Sequence, residues 1–166
     1  RIGEFTVNIA LIHDTRPVAG VIHAPATGET WYATEGGGSW EKRDGRTTAL
    51  QSNAGETLIA TVSRFHLSPL DQEFNRLNKI TTVVPAGSSL KFCRVAAGQA
   101  SLYARFQGCI EWDIAAGHII AREAGCTVTD LRTGKEPVYN KKNLLNNHFI
   151  VSGKGISPGQ LLLPGL

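Results

Sequence analysis

The sequence predicts an α/β protein in which an antiparallel meander precedes a stretch where strands alternate with helices. Two observations carry this. Residues 1–50 hold short period-two runs broken by Gly, Pro and Asp turns, which is the grammar of adjacent antiparallel strands. After Ser52-Asn53-Ala54-Gly55 strand patterns alternate with helical ones, so a boundary is expected near Gln51. The divisions are thus residues 1–50, residues 51–153 and a tail of residues 154–166.

From Glu4 to Ile12, Phe5, Val7, Ile9 and Leu11 alternate with Thr6, Asn8 and Ala10, the pattern of a half-buried strand. A turn over His13 to Pro17 leads to strands at Val18–His23 and Glu29–Thr34, separated by Ala24-Pro25-Ala26-Thr27-Gly28. Glu35 to Ser39 reads as a glycine-rich loop before Trp40. Thr57–Ser63 is the next strand. Ser68-Pro69 supplies a cap and a first-turn proline for a helix running to about Lys79, and Ile80–Val84 is a short strand. A second helix opens at Gly87-Ser88-Ser89 and stops at Gly98. Ser101–Phe106 is a strand, and a third helix runs from Asp113 to about Ala124 with Gly125 as its stop. Cys126–Asp130 and His148–Ser152 complete the strands. Gly153–Leu166 lacks a clear period and reads as a frayed tail or an artefact.

Composition narrows the function. The 166 residues are 42% hydrophobic and 19% charged, enough for a buried core, and no apolar run approaches membrane-spanning length. The net charge of +3 is mild and its lysines and arginines are scattered, which argues against a nucleic-acid polymer as partner and suits a basic cleft for a small anion. Cys93, Cys109 and Cys126 lie far apart with no Cys-x-x-Cys pair, so neither zinc nor a disulfide framework is signalled. The expected compartment is the cytoplasm, free or peripheral to the inner membrane. With Arg1 leading directly into a strand pattern and no methionine in the chain, the start reads as non-native.

Three segments carry chemistry. Glu111-Trp112-Asp113-Ile114-Ala115-Ala116-Gly117 places a carboxylate at a helix start whose first turn is built of small residues. There Asp113 stays ionised and is suited to hold a hard cation bridged to a phosphate, although taken singly it reads first as a helix cap. Gly87-Ser88-Ser89-Leu90-Lys91 puts backbone N–H groups, two hydroxyls and an ammonium at another helix start, which is anion-binding chemistry without the phosphate-loop pattern of nucleotide-driven motors. Alone, it reads as a serine cap and a solvent-facing lysine. Arg105, at the end of a strand, can clamp a phosphate bidentately, and His66 follows another strand; singly, each reads as exposed.

Together these segments resemble one family. Gly87-Ser88-Ser89-Leu90-Lys91-Phe92-Cys93, Val95-Ala96-Ala97-Gly98-Gln99, Leu102-Tyr103-Ala104-Arg105-Phe106 and Trp112-Asp113-Ile114-Ala115-Ala116-Gly117-His118 are similar, in this order and spacing, to the bacterial 3′(2′),5′-bisphosphate nucleotidases. These belong to the Mg²⁺-dependent, lithium-sensitive inositol monophosphatase superfamily. The similarity extends from Gly3-Glu4-Phe5-Thr6-Val7-Asn8 to Phe149-Ile150-Val151-Ser152.

The resemblance implies a layered α/β fold of the sugar phosphatase kind, with part of an antiparallel sheet followed by a mixed sheet flanked by helices. It implies hydrolysis of the 3′-phosphate of adenosine 3′,5′-bisphosphate, with 3′-phosphoadenylyl sulfate as a related substrate. Asp113 is then the catalytic Mg²⁺ ligand and touches substrate. Gly87, Ser88, Ser89, Lys91, Arg105 and His66 bind the nucleotide and its bystander phosphate. The family's Asp-Pro-x-Asp-Gly-Thr motif and an earlier glutamate, which carry further metal ligands, lie upstream of the strand that begins at Glu4 and have no counterpart in this sequence. The expectation is a truncated fold, inactive by itself, whose exposed sheet faces drive self-association. The rival readings are an inositol or sugar phosphate phosphatase of the same superfamily and a non-catalytic nucleotide-binding fragment.

Overall fold

The computed structural model describes residues 3–53, 55, 57–64 and 67–165. Sheet A is an antiparallel meander of β1 (Val7–His13), β2 (Arg16–Ala24), β3 (Glu29–Thr34), β4 (Gly38–Arg43) and β5 (Arg46–Ala49), paired in chain order. The β4–β5 hairpin adds two strands that periodicity alone does not separate, and its turn carries a local signal. Asp44 and Gly45 both take positive φ, at 50° and 76°, the conformation a two-residue hairpin turn demands.

Sheet B is mixed. Its strands are β6 (Ile59–Ser63), β7 (Thr82–Ala86), β8 (Leu102–Arg105), β9 (Thr127–Asp130) and β10 (Phe149–Ser152), in the spatial order β7-β6-β8-β10-β9. β6 runs parallel to β7 and β8, while β10 is antiparallel to both β8 and β9. Helix α1 (Pro69–Leu77) starts as expected: the Ser68 hydroxyl accepts the Asp71 N–H at 3.2 Å, and the Asp71 carboxylate accepts the Ser68 N–H at 2.8 Å.

Helices α2 (Leu90–Ala96) and α3 (Glu111–Glu123) lie between the two sheets. The sequence places the start of the third helix at Asp113. It starts two residues earlier and is buried from Ile114 through Ala121, because it meets sheet A, α2 and β9. Two glycines permit this. A Cβ on Gly20 of β2 would stand 2.5 Å from Ile119 and 2.9 Å from the Ala116 backbone, and one on Gly117 would stand 2.4 Å from the Phe92 ring. Sheet B's two faces divide its side chains by period-two alternation: Tyr103, Phe149 and Val151 pack with Phe92 under α2 and α3, whereas Leu102 and Ile150 pack with Phe74 of α1.

Two expectations need correcting. Residues 153–165 are docked, not frayed: Ile156 and Leu161 pack on the Phe74 cluster, and Asn78 exchanges hydrogen bonds with the Leu162 backbone at 2.8 and 2.9 Å. In β1 the alternation is real but its apolar row faces outward. Ile9 and Leu11 are 67% and 62% exposed, while the Asn8, Ala10 and Ile12 row faces inward, with Ala10 and Ile12 packed against the core. The outcome is an apolar face on sheet A formed by Phe5, Val7, Ile9, Leu11 and Val21, bounded by the open edge of β1. No helix among the described residues is long and apolar enough to cross a membrane.

Candidate active site

A cleft of about 390 Å³ opens where β1, the start of α2, the end of β8 and the start of α3 converge. Ser88, Ser89, Lys91, Arg105 and Asp113 line it together, so the structure brings five of the expected residues to one place. His66 lies outside the described residues.

Lys91 sits in the first turn of α2 and is only 3% exposed, contrary to the solvent-facing lysine that the motif alone suggests. Its Nζ donates to the carbonyls of Ser88 at 2.8 Å and Ala86 at 3.3 Å and stands 5.3 Å from the Tyr103 ring centroid. Burial, reinforced by the nearby Arg105 charge, pulls its pKa down to about 8. Arg105, the last residue of β8, is half-buried and donates a long hydrogen bond, 3.4 Å, to the Gln107 carbonyl. Among the described residues no carboxylate lies within ion-pair distance of Lys91 or Arg105. Two cations thus stand in a concave site with no ion-paired carboxylate among the described residues, an arrangement that suits an anion.

The turn ahead of α2 is occupied. Glu4 accepts the Gly87 N–H at 2.9 Å, accepts the Ser88 hydroxyl through its own carbonyl at 3.3 Å, and is held by Arg64 at 2.6 and 2.8 Å. The Arg64 hydrogen bonds lower the Glu4 pKa. Gly87 is needed here because a Cβ would meet Glu4 at 2.8 Å. Its amide, expected to face a phosphate, instead binds a carboxylate of the same chain. Ser89 donates to the Asn8 side chain at 2.7 Å and pairs with the Thr6 hydroxyl at 2.8 Å.

Asp113 is exposed and is the third residue of α3. Its carboxylate accepts the Ile110 N–H at 2.9 Å, so it does serve the helix terminus, from inside the first turn. A hard cation such as Mg²⁺ takes about six oxygen ligands. Among the described residues no group of three or more His, Cys, Asp or Glu side chains is placed to hold a metal, so this donor set does not fit the ion by itself.

Sequence reasoning missed the support around these groups. Buried Glu111 accepts the backbone N–H groups of Asn140 and Lys141 at 2.8 and 3.1 Å and the Lys141 ammonium at 2.6 Å, tying the 140–146 loop beside Asp113. Its place next to Trp112-Asp113 was the available signal. The role of Glu4 had none, because the contact spans 83 residues of chain.

The inositol monophosphatase family matches residues 1–158. The 3′(2′),5′-bisphosphate nucleotidase CysQ of Salmonella typhimurium is 42% identical over 154 residues, covering 92% of this chain and 61% of its own length. The crystal structure of CysQ from Bacteroides thetaiotaomicron superposes with a TM-score of 0.78 at 40% identity, covering 92% of this chain and 64% of that one. A fructose-1,6-bisphosphatase/inositol-1-monophosphatase of Thermotoga maritima is 30% identical over 89% of this chain and 57% of its own. The chain thus spans less than two thirds of the length of these relatives. By the extent of the match, this chain belongs to the inositol monophosphatase family.

Proposed function

We propose that this protein takes part in removing the 3′-phosphate of adenosine 3′,5′-bisphosphate to give AMP. The observation that carries the reading is the pair Lys91 and Arg105, two cations with no ion-pair partner among the described residues, in one cleft with Asp113. A single phosphate is served by one such group; two cations and the Ser88 and Ser89 hydroxyls suit a substrate with a second, bystander phosphate. Arg105 offers a planar fork for bidentate contact, and Lys91 offers a point charge in the same cleft. The nucleotidase names of the relatives near 40% identity support the same substrate class. His66 is assigned beside the nucleotide on the resemblance alone.

A requirement for Mg²⁺ belongs to this reading, with Asp113 as one oxygen ligand. The further ligands are not among the described residues, so no step is assigned to the ion. For the 166-residue chain alone we propose binding of the bisphosphate without sustained turnover, and self-association through the apolar face of sheet A.

The test is phosphate release from adenosine 3′,5′-bisphosphate, 5′-AMP and inositol 1-phosphate with Mg²⁺ present, beside calorimetric binding of each compound. The reading expects the bisphosphate to bind best and to be the compound cleaved by an amino-terminally extended form. Preference for inositol 1-phosphate would overturn it in favour of the reading that the Thermotoga relative suggests.

A further inference from the structure

We infer that Glu111 is a positioning residue: through the 138–146 segment it fixes the start of α3, and Asp113 on it, against the wall of the cleft that carries Arg105. This rests on the anion-binding reading of the cleft and names what sets its width.

Arg105 ends β8 and Asp113 lies in the first turn of α3, and the chain between these elements belongs to no helix or strand. Such a connection does not by itself hold its two ends at one spacing. Here it is braced by a second segment running antiparallel to it. The Glu111 N–H donates to the Leu144 carbonyl at 3.0 Å, the Asn146 N–H donates to the Cys109 carbonyl at 2.8 Å, and Ile110 pairs with Leu145 as an isolated bridge.

Side chains lock the brace, with Glu111 as their shared acceptor. It is only 7% exposed and takes the backbone N–H groups of Asn140 and Lys141 together with the Lys141 ammonium. That ammonium also donates to the Val138 carbonyl at 2.8 Å and to the Asn146 side-chain oxygen at 3.2 Å. The Asn146 amide in turn reaches Cys109 Sγ at 3.6 Å, and Cys109 lines the cleft. The circuit Glu111, Lys141, Asn146, Cys109 thus begins and ends beside the connection that joins Arg105 to Asp113. Its central bond is charge-assisted and largely withdrawn from water, which makes it short and directional.

The other end of the segment is anchored independently. Tyr139 is 1% exposed, its N–H donates to the Thr15 carbonyl at 3.0 Å, and its hydroxyl pairs with His118 Nδ1 at 2.8 Å. Glu111 and His118 lie about two turns apart on α3 and so share one face of it. Loss of the Glu111 charge therefore frees the 140–146 stretch and leaves Tyr139 seated in the core. The change is confined to the α3 wall of the cleft. A ligand with two phosphates, one at Arg105 and one reaching the start of α3, feels that displacement, whereas a ligand with one phosphate settles at Arg105 and feels it less.

The test compares Glu111→Gln, which keeps the shape and removes the charge, with Lys141→Met, the double variant, and Lys142→Ala as an exposed control in the same segment. Fluorotryptophan labelling of the 166-residue chain places a fluorine probe on Trp112, between Glu111 and Asp113, and on Trp31 and Trp40 elsewhere. The Trp112 fluorine resonance is expected to move alike in Glu111→Gln and Lys141→Met, with no further change in the double variant, while those of Trp31 and Trp40 stay. Lys142→Ala moves none of them. By calorimetry, Glu111→Gln is expected to weaken adenosine 3′,5′-bisphosphate roughly tenfold and 5′-AMP less than about threefold. An unmoved Trp112 resonance overturns the proposal. Equal losses for the two ligands also overturn it, because they reduce Glu111 to holding the fold. An unsubstituted chain that does not bind the bisphosphate overturns the substrate reading instead, and the Trp112 resonance then decides the role of Glu111 by itself.

Discussion

The carboxylate of Glu4 accepts the amide of Gly87 at 2.9 Å, across 83 residues of chain, and so joins the lead-in to β1 to the turn that opens α2. Arg64, at the end of β6, holds the other side of that carboxylate. One acidic residue thus sets the spacing between the two sheets at the mouth of the cleft.

Glu4→Gln is expected to cost about 0.5 kcal/mol at pH 7, a figure already discounted because the pair is partly exposed. The sign of its pH dependence follows from the lowered pKa of Glu4. The contribution is present above the unfolded value of 4.5 and is lost as pH falls through the folded value. Urea unfolding of both proteins between pH 7 and pH 3 should show the two stabilities converging on the acid side.

Lys91 acts on stability in the opposite sense. Its folded pKa, about 8, lies below the unfolded value of 10.5, so between these values the unfolded chain binds more protons and stability rises with pH. Below pH 8 the cost of burying the ammonium is felt in full. Lys91→Met should therefore stabilise the fold at pH 7, by up to about 3 kcal/mol, with the advantage shrinking from pH 8 upward. The difference between the two proteins must be read, because buried Cys126, raised to about 11, and the buried Cys93 and Tyr103, raised further, lower stability in the alkaline range in both. An advantage that stays constant from pH 7 to pH 10 would refute this assignment.

Arg105→Ala is expected to weaken adenosine 3′,5′-bisphosphate binding by roughly 10- to 100-fold, the loss of a charge-assisted contact of about 1.5–3 kcal/mol. Binding of 5′-AMP should fall less. Titration calorimetry of both ligands checks this, and an equal loss for both would place Arg105 away from the bystander phosphate.

Gly117→Ala tests the packing that sets Asp113 against the basic groups. The added methyl would stand 2.4 Å from the Phe92 ring, which is itself wedged between Tyr103 and Phe149 at 5.4 and 5.8 Å and cannot retreat. A loss of about 1–3 kcal/mol is expected by chemical denaturation, together with weaker bisphosphate binding, since α2 carries Lys91 and α3 carries Asp113.

Leu11→Lys probes the open face of sheet A. Leu11 is 62% exposed, so the change should leave unfolding within about 0.5 kcal/mol of the original. Sedimentation velocity should show self-association reduced. Unchanged association would locate the contact elsewhere.

The succession of strands and helices was legible in the sequence because each element carries its own local signal: Ser68-Pro69-x-Asp71 for α1, the aromatic and branched run of β8, Gly125 after α3. The motif residues were legible too, since their types and order are fixed along the chain, and Ser88, Ser89, Lys91, Arg105 and Asp113 do share one cleft. What periodicity left undetermined was which face of a strand is buried. An alternating row states only that two faces differ, and in β1 the apolar row is the outer one, because α3 packs against the side bearing Ala10 and Ile12. Tertiary structure also decided that Lys91 is buried against carbonyls instead of standing in solvent, and that the Gly87 amide is taken by Glu4. These depend on contacts between segments far apart in the chain, where desolvation and charge act through space and leave no trace in local spacing.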